Sequence, residues 1–546
     1  MAKRDLSTPQ GKFRFKKHDN IGVSDAEQDQ NFLYDCFVDT GDLDALRDTH
    51  NPRRIILGRT GSGKTALLMR FQKEEENVIV VQPESLSLNY ISNSNILNFV
   101  LQLGVNLDIF FRLLWRHVFV VEILKVLFKI HNETDSLSLT ERIKNMFRDK
   151  EHDRALDYLR TWGKSFWEDT DYRIREVTSK VEADLQASIG GTIPGAKISL
   201  EGAQKISEEE KSEIVPRAQE VINRVQIKEL SEIIDLLKDV LEAKDTQYYV
   251  VIDRLDENWI VEKLRYLMIR ALIETVRDFR KAAQVKIIIA LRYDLIDRVF
   301  RHTRDAGFQE EKYEGLYLNL AWNKKQLTEI LDKRINHLVR QSYTTQSVTY
   351  IDLLPKAISK TPIIEYLVER TLMRPRDIIE FLNFCILQAV DNPKISSQML
   401  KQAEGEYSRT RLRSVAQEWH TDYPNLFIFI ELLKNRKPQF TLNAVTYDEC
   451  ANFALNLLIG GVQQPDDLFK IAERFVETEV NVTQFKQRVF QIFYRVGIIG
   501  LKLASYESTA WTTDGRRNIA TSEISEDARV SIHPCFNRIL GTHLKS

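Results

Sequence analysis

The pattern of apolar and polar positions changes character several times along the chain. Residues 1–31 are polar, first basic and then acidic, with few large apolar groups, and they read as a mobile arm. Regular patterning starts at Phe32. The run Ile55-Ile56-Leu57 is a short buried strand that ends in a glycine-rich turn, and residues 65–73 carry helical spacing. Residues 78–81 (VIVV) predict a second strand, stopped by Pro83. From about 90 to 245 strand signals are almost absent. Residues 95–130 are strongly apolar with helical spacing. Ser138-Leu139-Thr140-Glu141 has the form of a capping box that starts another helix, 153–183 is charged and amphipathic, and 207–243 is helical. A glycine-rich island at 188–202 predicts a loop or hairpin.

Strand signals resume at 248–252 (YYVVI), 285–290 (VKIIIA) and 316–320 (LYLNL), with a helix at 260–281 between the first two. Alternating strands and helices imply a parallel sheet covered on both faces. The pattern therefore places one α/β core in 32–90 and 245–340, with a helical block, 91–244, inserted between its second and third strands. Residues 341–419 are helical, through 377–390 and 398–419. Residues 420–546 combine helices near 426–434, 466–477 and 482–496 with short strands at 497–503, 506–513 and 530–533, a winged-helix-like arrangement. No fixed-period repeat is visible, which argues against a solenoid or propeller.

Composition narrows the class. The chain has 546 residues, 43% hydrophobic and 28% charged, with a net charge of −1. That length suggests about three domains, and the apolar content supports real cores rather than disorder. Only 21 glycines and 13 prolines occur, well below the usual share, which favours a helix-rich chain. Near-neutral charge gives no overall electrostatic case for nucleic acid. Cys36, Cys385, Cys450 and Cys535 lie far apart with no CxxC pair, so neither a disulfide framework nor a zinc site is expected. The N-terminus lacks the apolar core of a secretory signal. The apolar stretch 95–130 is interrupted by Asp108, Arg112, Arg116, Glu122 and Lys125, too often for a membrane span. We expect a cytoplasmic protein with no membrane contact.

One motif carries chemistry. Gly58-Arg59-Thr60-Gly61-Ser62-Gly63-Lys64-Thr65 fits GxxxxGK[ST], between a strand and a helix. Glycines let backbone N–H groups turn inward around phosphate oxygens, and the helix N-terminus, from Ala66 onward, adds positive potential. Lys64 is expected to reach the β- and γ-phosphates and the Thr65 hydroxyl to coordinate Mg²⁺. The chain thus reads as an α/β P-loop NTPase core with ATP and Mg²⁺ as cofactors. The strand 248–252 ends in Asp253, a candidate for the Mg²⁺ shell. Asp256 and Glu257 follow just past the strand end, and either is placed to orient or deprotonate an attacking water.

VVIDRLDE resembles the second acidic motif of STAND ATPases and their KAP-like relatives, and IILGRTGSGKTALL is equally similar to that group. The likeness extends to IIIALRYDLIDRV, GFQEEKYEGLYLNLAW and MRPRDIIEFLN, covering most of about 50–75 and 248–390. These blocks resemble bacterial P-loop ATPases of the FunZ type. The resemblance implies an ASCE/STAND-like parallel sheet, ATP rather than GTP, and 341–419 as a helical lid. It also implies a sensor-like place for Arg292, at the end of the fourth strand, and a second sensor in the pair Arg374/Arg376. An arginine at the C-terminal edge of a parallel strand faces the crevice where ligands bind, and guanidinium suits phosphate. Ion pairs with neighbouring acids are the competing expectation for both positions. Arg298, Arg301 and Arg304 read as a solvated basic helix face, with trans-acting fingers in a homo-oligomer as the alternative.

The expectation drawn from all this is an ATP-hydrolysing molecular switch. Its sensor or effector would be another polypeptide, and resemblance alone suggests antiphage defence or a mobile-element system. The alternatives are a DNA-processing ATPase that uses the winged helix and a nucleotide-stabilised scaffold without turnover. The helix 482–496 carries Lys486, Arg488 and Arg495, but its phenylalanines form a core-facing stripe and the surrounding region is near charge balance, so DNA is not the favoured partner.

Overall fold

A computed structural model describes residues 7–8, 11–86, 94–128, 170–189, 203–224, 246–303, 309–340, 347–460, 466–512 and 519–542. The expected capping box at Ser138–Glu141, the start of the amphipathic stretch 153–183, the glycine-rich island beyond Ile189, the end of the helical stretch 207–243 and Arg304 lie outside the described residues. The chain divides into two compact units, Gly41–Arg59 with Leu67–Leu320, and Met1–Thr40 with Thr60–Ala66 and Ala321–Ser546.

The first unit runs α1 (Asp42–Arg47), β1 (Ile55–Gly58), α2 (Lys64–Glu74, beginning in the other unit), β2 (Val78–Val81), α3 (Asn95–Gln102), α4 (Asp108–Phe128), α5 (Thr170–Ile189), α6 (Glu208–Arg224), β3 (Tyr248–Ile252), α7 (Glu262–Asp278), β4 (Val285–Arg292), α8 (Tyr293–Thr303) and β5 (Tyr317–Asn319). The five strands form one parallel sheet in the order β2-β3-β4-β1-β5. All β1 and β3 residues are buried, as the continuous apolar runs require for strands covered on both faces. The order puts β4 between the P-loop strand and the acidic strand. Register sets Gly58 opposite Arg292 and Val81 opposite Ile252, so the chemistry-bearing strand ends share the C-terminal edge, where ligands of parallel sheets bind.

The described part of the apolar stretch, 95–128, forms two helices, broken where Gly104 takes φ +89°. Phe110, Phe111, Trp115 and Phe119 are buried in one core with the sheet, and the Trp115 indole donates to the Met268 carbonyl at 2.8 Å. Arg112 and Arg116, which interrupt the apolar run, both pair with Asp278 on α7. The described helices of the inserted block therefore share the core of the sheet. Among the described residues no helix is long and apolar enough to cross a membrane. At the N-terminal end of β4, buried Lys286 donates to the carbonyls of Ala45 and Asp48 at the end of α1, at 2.6 and 2.8 Å. Burial, with Arg54 adding to it, brings this ammonium down to about 7.

The second unit holds α9 (Lys324–Arg340), α10 (Ile363–Glu369), α11 (Pro375–Gln388), α12 (Ser397–Glu418), β6 (Gln439–Thr441), α13 (Tyr447–Gly460), α14 (Asp467–Val476), α15 (Val482–Val496), β7 (Ile499–Lys502) and β8 (Arg529–Ile532). One continuous core runs through it from Phe13 to Leu540. Three expectations are corrected here. The N-terminal arm is packed from Phe13 onward: Phe13, Phe15 and Ile21 are buried, and Phe15 exchanges backbone hydrogen bonds with the Asp391–Asn392 turn. Three apolar side chains in a polar segment are enough to anchor it. Helix α9, assigned to the α/β core by the boundary at 340, buries Leu327, Leu331 and Ile335 in the helical unit.

The C-terminal sheet is the third correction. It is antiparallel in the order β6-β8-β7. The expected strand at 506–513 is absent over its described part; only Ala510 bridges to Leu501, and Tyr506 is exposed. The partner of β7 is β8, whose Val530 and Ile532 are buried.

Candidate functional site: the phosphate loop and the acidic strand end

The loop 58–65 departs directly from β1. Gly61 and Gly63 have φ of +78° and +96°, values that side chains other than glycine rarely adopt. Space makes the same demand at Gly61, where an added Cβ would lie 2.8 Å from both Cβ and Cδ of Arg376. Residues 60–66 pack with the helical unit. The Thr60 carbonyl accepts from the Arg374 guanidinium at 2.8 Å, Gly61 from the Arg376 backbone N–H at 3.4 Å and Ser62 from the Trp322 indole at 2.7 Å. The Trp322 ring also lies 3.6 Å from where a Gly63 Cβ would sit. Lys64 and Thr65 open α2, at the positive end of its dipole.

Arg374 and Arg376, expected as a pair, have separate circumstances. Arg374 is buried and forked onto Asp377, with Nε–Oδ2 at 2.9 Å and Nη2–Oδ1 at 3.1 Å. Arg411 bonds the same carboxylate at 2.8 Å. Burial alone would raise Asp377, but the two guanidiniums outweigh it and hold the carboxyl down at about 2. Arg376 is half-buried. Among the described residues its guanidinium donates to the Ser24 carbonyl at 3.3 Å, while Glu380, the nearby acid on its own helix, pairs with Arg411. Burial, and then the charges of Arg374 and Arg411, lower Arg376 below the usual arginine value. A cation held in that way gains from an anion. The glycine conformations, the cationic surroundings and the buried Thr60 and Ser62 hydroxyls, which have no hydrogen-bond partner among the described residues, fit a polyphosphate.

The acidic strand end lies in the first unit. Asp253 follows β3, and its carboxylate accepts the Arg254 N–H at 2.8 Å; Arg254 itself takes φ +60°. The turn is pinned by buried Arg265, which donates to the carbonyls of Asp256 and Glu257 at 3.3 and 2.9 Å. The side chains of Asp256 and Glu257 remain partly exposed. Asp256 meets Arg292 at 3.2 Å, and Glu257 is 3.7 Å from Arg254. Partial burial raises the Glu257 carboxyl above its ordinary value; Arg254 opposes the shift, while Glu84 and Asp256 add to it.

Arg292 ends β4 as the strand pattern requires, but it is committed to acids. It binds Asp294 through two bonds of 2.9 Å and reaches Asp256 as well. Arg298 is buried and also pairs with Asp294. The solvated-face expectation is therefore corrected at Arg298: Asp294, itself buried, draws it inward. Arg301 is exposed.

Sequence reasoning missed two residues. Trp322 offered a signal, a lone tryptophan in the polar stretch just after β5. Glu84 offered a weaker one, an acid just past β2 on the strand neighbouring β3. In the C-terminal part, Lys486 pairs with Glu526 and Arg488 with Asp467, while Arg495 lies over the Trp419 ring.

In comparison with known proteins, residues 325–416 fit the model of the FunZ-associated C-terminal helical domain. No curated protein matches the chain. Among solved structures, the Walker-type ATPase PABY2304 of Pyrococcus abyssi is similar at 11% identity and a TM-score of 0.35, over 92% of this chain and 96% of that one. The matched helical domain contains both Arg374 and Arg376.

Proposed function

We propose that this chain is an Mg-ATP hydrolase that works as a molecular switch. The observation that carries the reading is the loop 58–65: two left-handed glycines at the start of a helix, with Gly61 packed so closely against Arg376 that no side chain fits there. In this proposal the N–H groups of the loop and Lys64 bind the β- and γ-phosphates, and Arg376 meets the terminal phosphate. Thr65 and Asp253 supply hard oxygen donors of the kind Mg²⁺ takes, and the ion would neutralise phosphate charge as a Lewis acid. Glu257, whose raised carboxyl pairs only loosely with Arg254, takes the proton of the attacking water. Asp256, already bonded to Arg292, positions that arginine.

The switch reading is supported by Arg374 and Arg376, which connect the loop to α11 directly, so a change at the phosphates reaches a helical domain without an intermediary. A role in antiphage defence or a mobile-element system, with a partner polypeptide as sensor or effector, is proposed from the FunZ-type resemblance alone. The test is Mg-dependent ATP hydrolysis by the full chain beside Lys64→Ala and Glu257→Gln, with thermal shift on the same samples. ATP at about 100 times Kd should stabilise the wild type by roughly 2.7 kcal/mol. We expect Lys64→Ala to lose binding and turnover, and Glu257→Gln to keep binding and lose turnover. Absence of ATP binding by the wild type would sink the reading.

A further inference from the structure

Three successive carbonyls of the phosphate loop are each held by a donor of the helical unit. Those of Thr60, Gly61 and Ser62 accept from the Arg374 guanidinium, the Arg376 N–H and the Trp322 indole, all within one compact unit. In a planar trans peptide the carbonyl of one residue and the N–H of the next lie on opposite sides. Holding these three carbonyls therefore turns the N–H groups of Gly61, Ser62 and Gly63 away from Trp322 and α11. Those are the donors a polyphosphate needs, and an unsupported glycine-rich loop would pay entropy to assemble them. The supports are firm. Arg374 is itself fixed by the buried Asp377, which Arg411 also binds. The Trp322 ring packs beside Gly63, and Trp322 lies against the core of this unit.

We propose that Trp322 and Arg374 are positioning residues for the polyphosphate of a nucleoside triphosphate, acting through the Ser62 and Thr60 carbonyls to pre-set the N–H groups of the loop. Neither side chain touches the nucleotide in this account. The inference rests on the nucleotide-binding reading above and assigns affinity to two residues outside the GxxxxGK[ST] motif. It also makes the helical domain part of the phosphate site's construction, so that displacing α11 would loosen the nucleotide.

The test uses the full chain as wild type, Trp322→Phe and Arg374→Lys. For each, the Kd of Mg-ATP is measured by calorimetry and the unfolding temperature is measured without nucleotide. Trp322→Phe keeps an aromatic ring at this position while removing the N–H donor together with part of the indole. We expect its unfolding temperature to stay near that of the wild type while ATP binding weakens about tenfold, the scale of one lost hydrogen bond. Arg374→Lys should weaken binding in the same direction, and if it fails to fold, Trp322→Phe decides alone. Wild-type affinity in Trp322→Phe would overturn the proposal, as would a lowered unfolding temperature with affinity unchanged, which marks a merely structural role. A wild type that binds no ATP while folded would defeat the nucleotide reading first, and is thereby told apart from failure of the positioning role alone.

Discussion

Arg376 and Arg292 both stand where an arginine facing phosphate was expected, and their surroundings are opposite. Arg292 is neutralised twice, by Asp294 and Asp256. Arg376 has two other guanidiniums near it, and the acids of its own helix are engaged by Arg374 and Arg411. A guanidinium that already holds two carboxylates has little Coulombic energy to gain from a third anion; one surrounded by cations has much. Position at a strand end or helix start thus nominates an arginine, and its neighbours decide what it is free to do.

The largest effect should come from removing the acid that keeps the cationic cluster in place. Asp377→Ala leaves Arg374 and Arg411 buried without their shared partner, and we expect about 3–5 kcal/mol of destabilisation in denaturant unfolding. Because the Asp377 carboxyl is held down at about 2, its contribution is fully present above the ordinary carboxylate range and is lost as pH falls toward 2. A neutral outcome for Asp377→Ala would mean that the cluster is not what shapes the surroundings of Arg376.

A smaller effect separates the two arginines directly. Arg376→Ala should weaken Mg-ATP binding about 10–100-fold, the range for a charge-assisted contact to phosphate. Arg292→Ala should change affinity by less than about threefold, its cost appearing in the order of Asp256 and Asp294. Equal losses of affinity would break the comparison.

The smallest effect sharpens the acidic end. Glu84 raises the Glu257 carboxyl by its charge and by a hydrogen bond. Glu84→Gln should move the acid limb of the kcat/KM profile to lower pH while leaving ATP affinity unchanged. An unmoved limb would remove Glu84 from the account, and would reopen the choice between Asp256 and Glu257 as the base.

Much of the α/β layer was legible in the chain because its strands read as nearly continuous apolar runs: YYVVI and VKIIIA are buried on both faces, and the edge strand VIVV is equally apolar although Val80 is exposed. The phosphate loop was legible because glycine at 61 and 63 has no substitute. What the chain hid is tertiary. Phe13 and Phe15 are too few to mark a segment as packed, yet their core makes them anchors. β6 is three residues, Gln439–Thr441, paired to β8 across most of the C-terminal part. Arg298 looked like a solvated cation because its buried partner, Asp294, lies four residues earlier, a spacing common on exposed helices too. Trp322 carries no motif; only its indole on the Ser62 carbonyl reveals it.

The bond from Arg374 to the Thr60 carbonyl spans 314 positions of sequence. On a ribosome adding about 5–20 residues each second, that interval is roughly 15–60 s of synthesis. The nascent chain emerges with its nucleotide motif long before the helix that shapes it, and the first unit has time to collapse in the meantime. ATP binding by this protein would then mark a chain extended past the supports of the loop: a truncated product ending before Trp322 would carry every residue of the motif and lack the groups that hold its carbonyls.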